Sequence, residues 1–149
     1  MIQYREVTVD SIPMSLLLLA DPLESKVCDY LNGATCFGAF IENELVSVCV
    51  INTNIEGEVE LFNIASLANV QGQGIGTKLL EFVIRELKNC NVTKLVLGTG
   101  TFGHQLAFYQ RLGFRVDAVV KNFFTDNYDE PIYENGIQHY DMLRLTIYT

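Results

Sequence analysis

The stretch from Glu58 to Asn89, EVELFNIASLANVQGQGIGTKLLEFVIRELKN, constrains the fold more than any other part of the chain. An apolar run (Val59, Leu61, Phe62, Ile64, Ala65, Leu67) predicts a strand. A turn with Gly72, Gly74 and Gly76 follows, and then Leu79, Leu80, Val83, Ile84 and Leu87 recur at helical spacing. Strand, glycine turn and helix together form an anion-binding device. The first-turn N–H groups of a helix lack intrahelical acceptors, and the macrodipole makes that end electropositive. A phosphate is then held by backbone, and glycines let it approach closely.

Two common phosphate loops do not fit the details. A nucleotide P-loop needs Lys and then Ser or Thr directly after its last glycine, whereas Gly76 is followed by Thr77 and only then Lys78. A dinucleotide fingerprint needs GxGxxG and an acidic residue closing the next strand. Here the spacing is GxGxG, and the strand over Lys94 to Leu97 runs into Gly98-Thr99.

Gln71-x-x-Gly74-x-Gly76 resembles the (Gln/Arg)-x-x-Gly-x-(Gly/Ala) signature of the GNAT N-acetyltransferases, which binds the pyrophosphate of acetyl-CoA. A second segment, QLAFYQRLGF from Gln105 to Phe114, is similar to the family's helix with a tyrosine four residues before a Gly-Phe pair: Tyr109, then Gly113 and Phe114. The resemblance spans residues 35–120 and, more loosely, the ends. It implies an α/β (α+β) acyl-CoA N-acyltransferase fold: a mixed, mostly antiparallel central sheet with a splayed central strand and helices on both faces. It also implies acetyl transfer to a primary amine by direct transfer in a ternary complex.

The resemblance also assigns residues. Gln71, Gly72, Gln73, Gly74, Ile75, Gly76 and Thr77 would bind the cofactor; the chain's acidity, not the resemblance, makes Lys78, Arg85 and Arg111 the candidate local cations. Ile64, Ala65 and Ser66 would offer backbone donors to the pantetheine arm and to the oxyanion. Tyr109 would protonate the departing CoA sulfur, against the alternative of a tyrosine merely packed beside Phe108 and Leu112. Glu60, five residues before Ala65, stands where acetyltransferases of the histone type carry a glutamate base; the alternative is a solvated glutamate, which is the reading for Glu58. Many members have an asparagine seven residues before the tyrosine; here that residue is Phe102.

Composition bounds the rest. A chain of 149 residues suits one domain, 1–149, with one core. A net charge of −8 disfavours nucleic acid as a partner and would draw a cationic amine. The apolar run Met14 to Ala20 is far too short to span a membrane, and the N-terminus lacks a signal-peptide pattern. Cys28, Cys36, Cys49 and Cys90 show no CxxC or metal spacing, which predicts reduced, buried thiols in a cytoplasmic protein without a metal.

In chain order, Ile2 to Val9 reads as a strand. Ser11 reads as the cap of a helix over Met14 to Leu19, and a second helix runs from Pro22 to Leu31. Ala34 to Ile41 and Leu45 to Asn52 read as a hairpin about Glu42-Asn43-Glu44. The glycine-turn helix spans Gly74 to Lys88. Strands follow at Thr93 to Leu97, Phe114 to Val120 and His139 to Tyr148. Asn122 to Gly136 reads as a loop, in which Phe123, Phe124, Tyr128 and Tyr133 with Asp126, Asp129, Glu130 and Glu134 suit an amine with an apolar body, a dimer rim, or a lid that packs on itself. His104 and His139 carry no assignment. The acceptor is a small-molecule amine on this reading, with a protein or peptide, or a non-catalytic acyl-CoA-binding regulator, as alternatives. Family habit implies a homodimer through the last strands.

Overall fold

The computed structural model describes all 149 residues. They divide into two compact units, Met1–Leu95 with Thr149, and Val96–Tyr148.

The first unit opens with β1 (Ile2–Val7), α1 (Met14–Leu17) and α2 (Glu24–Leu31). It continues with β2 (Thr35–Ile41), β3 (Glu44–Thr53), β4 (Val59–Ser66) and α3 (Ile75–Asn89). β1, β2, β3 and β4 are neighbours in that order, each pair antiparallel. The β2–β3 hairpin turns on Glu42 and Asn43, both at positive φ, so that Ile41 pairs with Glu44. That is the two-residue turn whose twist matches the strands it joins.

Helices cover both faces of these four strands. Leu16 and Leu17 of α1 and Val27 of α2 pack on Cys36, Val48, Val50 and Ala65. Ile75 of α3 packs with Ala39 and Val46 on the other face, and Phe82 of α3 meets Phe37 edge-on at 6.0 Å. α3 buries Leu79, Leu80, Val83 and Leu87, the residues whose spacing predicts it.

A bulge alters β4. Val50 pairs with Asn63 but Ile51 pairs with Leu61, leaving Phe62 as the extra residue. Two consecutive side chains therefore reach the same helix: Phe62 stacks on Tyr30 of α2 at 5.2 Å, and Asn63 bonds the hydroxyl of the same tyrosine. Strict alternation would have sent them to opposite faces.

β5 (Lys94–Gly100) runs into the second unit, which continues with α4 (His104–Arg111), β6 (Arg115–Val120) and α5 (Phe123–Asn127). β7 (Tyr133–Glu134), β8 (Ile137–Gln138) and β9 (Met142–Tyr148) complete it. β9 lies between β5 and β6 and pairs antiparallel with β6. Leu97, Tyr109, Phe114, Met142 and Leu145 are buried. No helix is long and apolar enough to cross a membrane.

Three expectations need correction. Ser11 does not cap α1; its hydroxyl turns back to the Thr8 carbonyl at 2.7 Å and Pro13 takes the N-cap place. The stretch from Asn122 to Gly136 is not a plain loop, since it folds into α5 and the first strand of a small hairpin. That hairpin turns on Asn135 and Gly136, both at positive φ. Among the cysteines, only Cys36 and Cys49 are buried, whereas Cys28 and Cys90 are exposed. Val27, beside Cys28, takes the buried side of α2, and Leu87, three residues before Cys90, that of α3.

Candidate active site

The glycine turn has the geometry that anion binding requires. Gly74 is the N-cap of α3 at φ 79°, and Gly72 has φ 80°. A side chain at either place would be strained by the backbone, although nothing lies within 4 Å of where its Cβ would be. The start of α3 carries no side-chain cap and no acidic residue in its first turn. Its first intrahelical bond runs from the Lys78 amide to the Gly74 carbonyl, so the Ile75, Gly76 and Thr77 amides precede the helical ladder. A cradle of exposed, left-handed glycines before fifteen residues of aligned dipole fits a pyrophosphate. Lys78 stands beside this end, whereas Arg85 lies ten residues after Ile75 in α3, about 15 Å of helical rise.

Gln71 secures the turn. Its side-chain amide donates to the Ser66 carbonyl at 3.0 Å, tying the loop back to the end of β4. The Gln73 side chain reaches the Asn69 carbonyl at 3.4 Å. At that end of β4 the Leu67 amide bonds the Val46 carbonyl of β3. By antiparallel alternation the Ala65 N–H also faces β3, and those of Ile64 and Ser66 face away from it. Ser66 is pinned further by its hydroxyl, 2.8 Å from that of Ser47.

Glu60 lies at the other end of β4, opposite Asn52 and half-buried. The Asn54 side chain donates to its carboxylate at 3.1 Å. Asn52 in turn donates to the carbonyls of Tyr30 and Asn32 at 3.0 and 2.8 Å, so the end of β3 that pairs with Glu60 meets the end of α2. Glu58 forms an ion pair with Lys94 at 2.7 Å. That is a structural use, consistent with its reading as a non-catalytic residue.

Tyr109, Phe123, Phe124 and Tyr128 belong to the second unit. Tyr109 is 5% exposed and meets Phe108 and Phe114 edge-on at 5.3 and 5.7 Å. The chain turns tightly after it, with the Leu112 and Phe114 amides both donating to the Tyr109 carbonyl at 3.1 Å. Gly113 makes this possible at φ 105°. Phe124 is the centre of an aromatic group, 5.3 Å from Phe123, 6.1 Å from Tyr128 and 5.5 Å from His139.

With this geometry in view, comparison with known proteins decides the family. Residues 10–114 match the model of the acetyltransferase (GNAT) family. The chain belongs to that family. A GNAT relative, the uncharacterized N-acetyltransferase YvbK of Bacillus subtilis strain 168, is 40% identical over 145 residues, covering 97% of this chain and 93% of its own. The [ribosomal protein bS18]-alanine N-acetyltransferase of Escherichia coli K12 is 32% identical over 94 residues, 61% of this chain and 64% of the relative. Among solved structures, a GNAT acetyltransferase from Elizabethkingia anophelis with acetyl-CoA bound superimposes with a TM-score of 0.91. It is 42% identical and covers 99% of this chain and 98% of its own. The chain is a GNAT N-acetyltransferase with the mixed, mostly antiparallel fold that the two motifs imply.

Two features of this GNAT chain lie outside its motifs. Asn63 is 2% exposed and donates to the Leu17 carbonyl and the Tyr30 hydroxyl, both at 2.9 Å. A lone asparagine inside an apolar strand was the available signal. The second is the pairing of Glu134 with His139 and His104, at 3.0 and 3.2 Å. Its signal was the glycine spacing of Gly98, Gly100 and Gly103, which has meaning only once the opposing side chains are known.

Proposed function

We propose that this N-acetyltransferase takes its acetyl group from acetyl-CoA and delivers it directly to a primary amine of a small molecule, with both substrates held in one ternary complex. The observation that carries this reading is the start of α3, where left-handed Gly72 and Gly74 leave open space before an uncapped helix end. Backbone donors from Gln71 to Thr77 hold the pyrophosphate there. The N–H groups of Ile64 and Ser66, on either side of Ala65, serve the pantetheine arm and the carbonyl oxygen as negative charge develops on it. Acetyl-CoA supplies the thioester, whose thiolate leaves readily.

Glu60, steadied by Asn54, takes a proton from the acceptor's ammonium group so that a neutral amine can attack. Tyr109 gives its phenolic proton to the departing sulfur. Neither buried thiol suits a cysteine-bound acetyl intermediate. Burial pushes Cys36 up to about 11 and Cys49 higher still, and a protonated thiol is a poor nucleophile. The acidic chain favours a cationic acceptor, with Phe123, Phe124 and Tyr128 against its apolar part.

A protein N-terminus is the second reading, favoured by the name of the Escherichia coli relative, which acts on an alanine of a ribosomal protein. We place the enzyme in the cytoplasm as a homodimer. The dimer is supported by β6, which pairs on one side only and exposes Val116, Val119 and Val120. Light scattering at micromolar concentration tests it.

A thiol-release assay with acetyl-CoA against polyamines, aminoglycosides, amino acids and short peptides beginning with alanine tests the acceptor. Turnover confined to small amines supports the first reading, and turnover confined to peptides replaces it with the second.

A further inference from the structure

The strand-to-helix connection before Tyr109 is built to receive side chains from the segment that follows α5. A Cβ at Gly98 would run into the Met142 sulfur, one at Gly100 into the His139 ring, and one at Gly103 into the Glu134 carboxylate. Gly103 is the N-cap of α4, at φ 110° and with no side chain of its own to satisfy the helix. Glu134 supplies what is missing. One carboxylate oxygen accepts from the His104 amide at 3.3 Å and lies 3.2 Å from its ring Nδ1, while the other takes Nε2 of His139 at 3.0 Å.

His139 itself is fixed. It is 6% exposed, stacks on Phe102 at 4.1 Å with 8° between planes, and meets Phe124 on a tilted contact. Its amide is bonded to the Ile132 carbonyl at 2.8 Å. The carboxylate at the head of α4 is therefore held from behind by a buried imidazole. A negative group there satisfies an orphan N–H and opposes the positive end of the helix. The help matters because α4 has only eight residues, too few to be stable from its own ladder. Tyr109 sits five residues after His104 on that helix.

We infer that Glu134, held by His139, is a positioning residue for Tyr109: it pins the N-terminus of α4 and thereby sets how the tyrosine is presented to the leaving thiolate. This rests on the reading of Tyr109 as the acid. Glu134 touches no reacting atom, and its effect on turnover passes through the helix.

The test combines Glu134→Gln, Glu134→Ala and Tyr109→Phe, singly and as the Glu134→Ala/Tyr109→Phe pair. It reads steady-state kinetics together with amide hydrogen exchange. In Glu134→Ala the amides of α4 exchange about tenfold faster, kcat falls about tenfold and the KM for acetyl-CoA is unchanged. Glu134→Gln, which keeps an acceptor without the charge, lies between parent and alanine variant. In the Tyr109→Phe background the Glu134→Ala change costs no further kcat, because both act through one group. The inference is overturned if α4 exchange is unchanged in both Glu134 variants, or if the Glu134→Ala loss adds in full to that of Tyr109→Phe. If Tyr109→Phe alone keeps the parental kcat, the acid assignment is what fails, whatever the exchange data show.

Discussion

Asn63 donates to the hydroxyl of Tyr30 at 2.9 Å, and the residue before it, Phe62, stacks on the ring of the same tyrosine at 5.2 Å. The bulge in β4 makes this double contact possible and locks the strand that carries Glu60 and Ser66 onto α2. Tyr30→Phe keeps the stacking but leaves one N–H of the buried Asn63 amide unpaired, which costs about 1–3 kcal/mol, and also removes the hydroxyl's bond to the Asp21 carboxylate. Urea unfolding monitored by circular dichroism should show the loss. A midpoint equal to the parent's would mean that the hydrogen bond contributes nothing net.

Gly74→Val places a β-branched residue at φ 79°, a left-handed conformation that costs an L-residue about 1–2 kcal/mol. The side chain also occupies the open space beside the uncapped start of α3. CoA binding measured by calorimetry should weaken by more than about tenfold, with the α-helical signal retained. Unchanged affinity would remove the loop from the cofactor site.

Tyr109→Phe preserves the ring that packs against Phe108 and Phe114. Loss of a general acid lowers kcat by about a hundredfold, with little change in the KM for acetyl-CoA. Full activity in the phenylalanine variant at every pH would reduce Tyr109 to a packing residue.

The hydrogen bond from His139, with those from the amide and ring of His104, holds the Glu134 carboxyl below its ordinary value of 4.5, against the opposing effect of burial. A carboxyl whose pKa is depressed by folding stabilises the native state above its unfolded pKa, and that contribution fades as pH falls through the depressed folded value. The stability gap between parent and Glu134→Gln should therefore shrink as pH falls below 4.5. His104 and His139 are the titratable groups that face the carboxylate. Denaturant melts of both proteins across that range test this. A gap that widens below pH 4.5 would reverse the assigned sign.

Cys28 and Cys90 are exposed, whereas Cys36 is raised to about 11 and Cys49 is raised further by complete burial. A disulfide-exchange reagent at neutral pH should titrate two thiols rapidly and the other two only after unfolding. Rapid reaction of all four would contradict the burial of β2 and β3. The same measurement supplies the background for any thiol-release assay of this enzyme.

Much of the fold is readable from periodicity. The helical spacing of Leu79, Leu80, Val83 and Leu87, the Glu42-Asn43 turn and the Gln71–Gly76 signature each report a local rule, and each falls where that rule puts it. The cap at Ser11 was misread because a serine hydroxyl bonds a nearby carbonyl as readily as a helix amide. The segment after Asn122 looked like a loop because its helix and strands are too short to have a period. Alternation puts Phe62 on the face of Glu58 and Glu60, but not Asn63 beside it, since a bulge leaves no mark in the side-chain pattern.

The amino-acid sequence alone determined the family and the glycine turn before α3, because such a turn before an amphipathic helix acts through backbone conformation, which local residues dictate. Only the tertiary structure decided what surrounds the two candidate catalytic groups. Asn54 reaches Glu60 across a turn, and Glu134 reaches the head of α4 from thirty residues downstream. Contacts of that kind depend on where distant segments come to rest after the chain has packed, and no spacing along the chain encodes them.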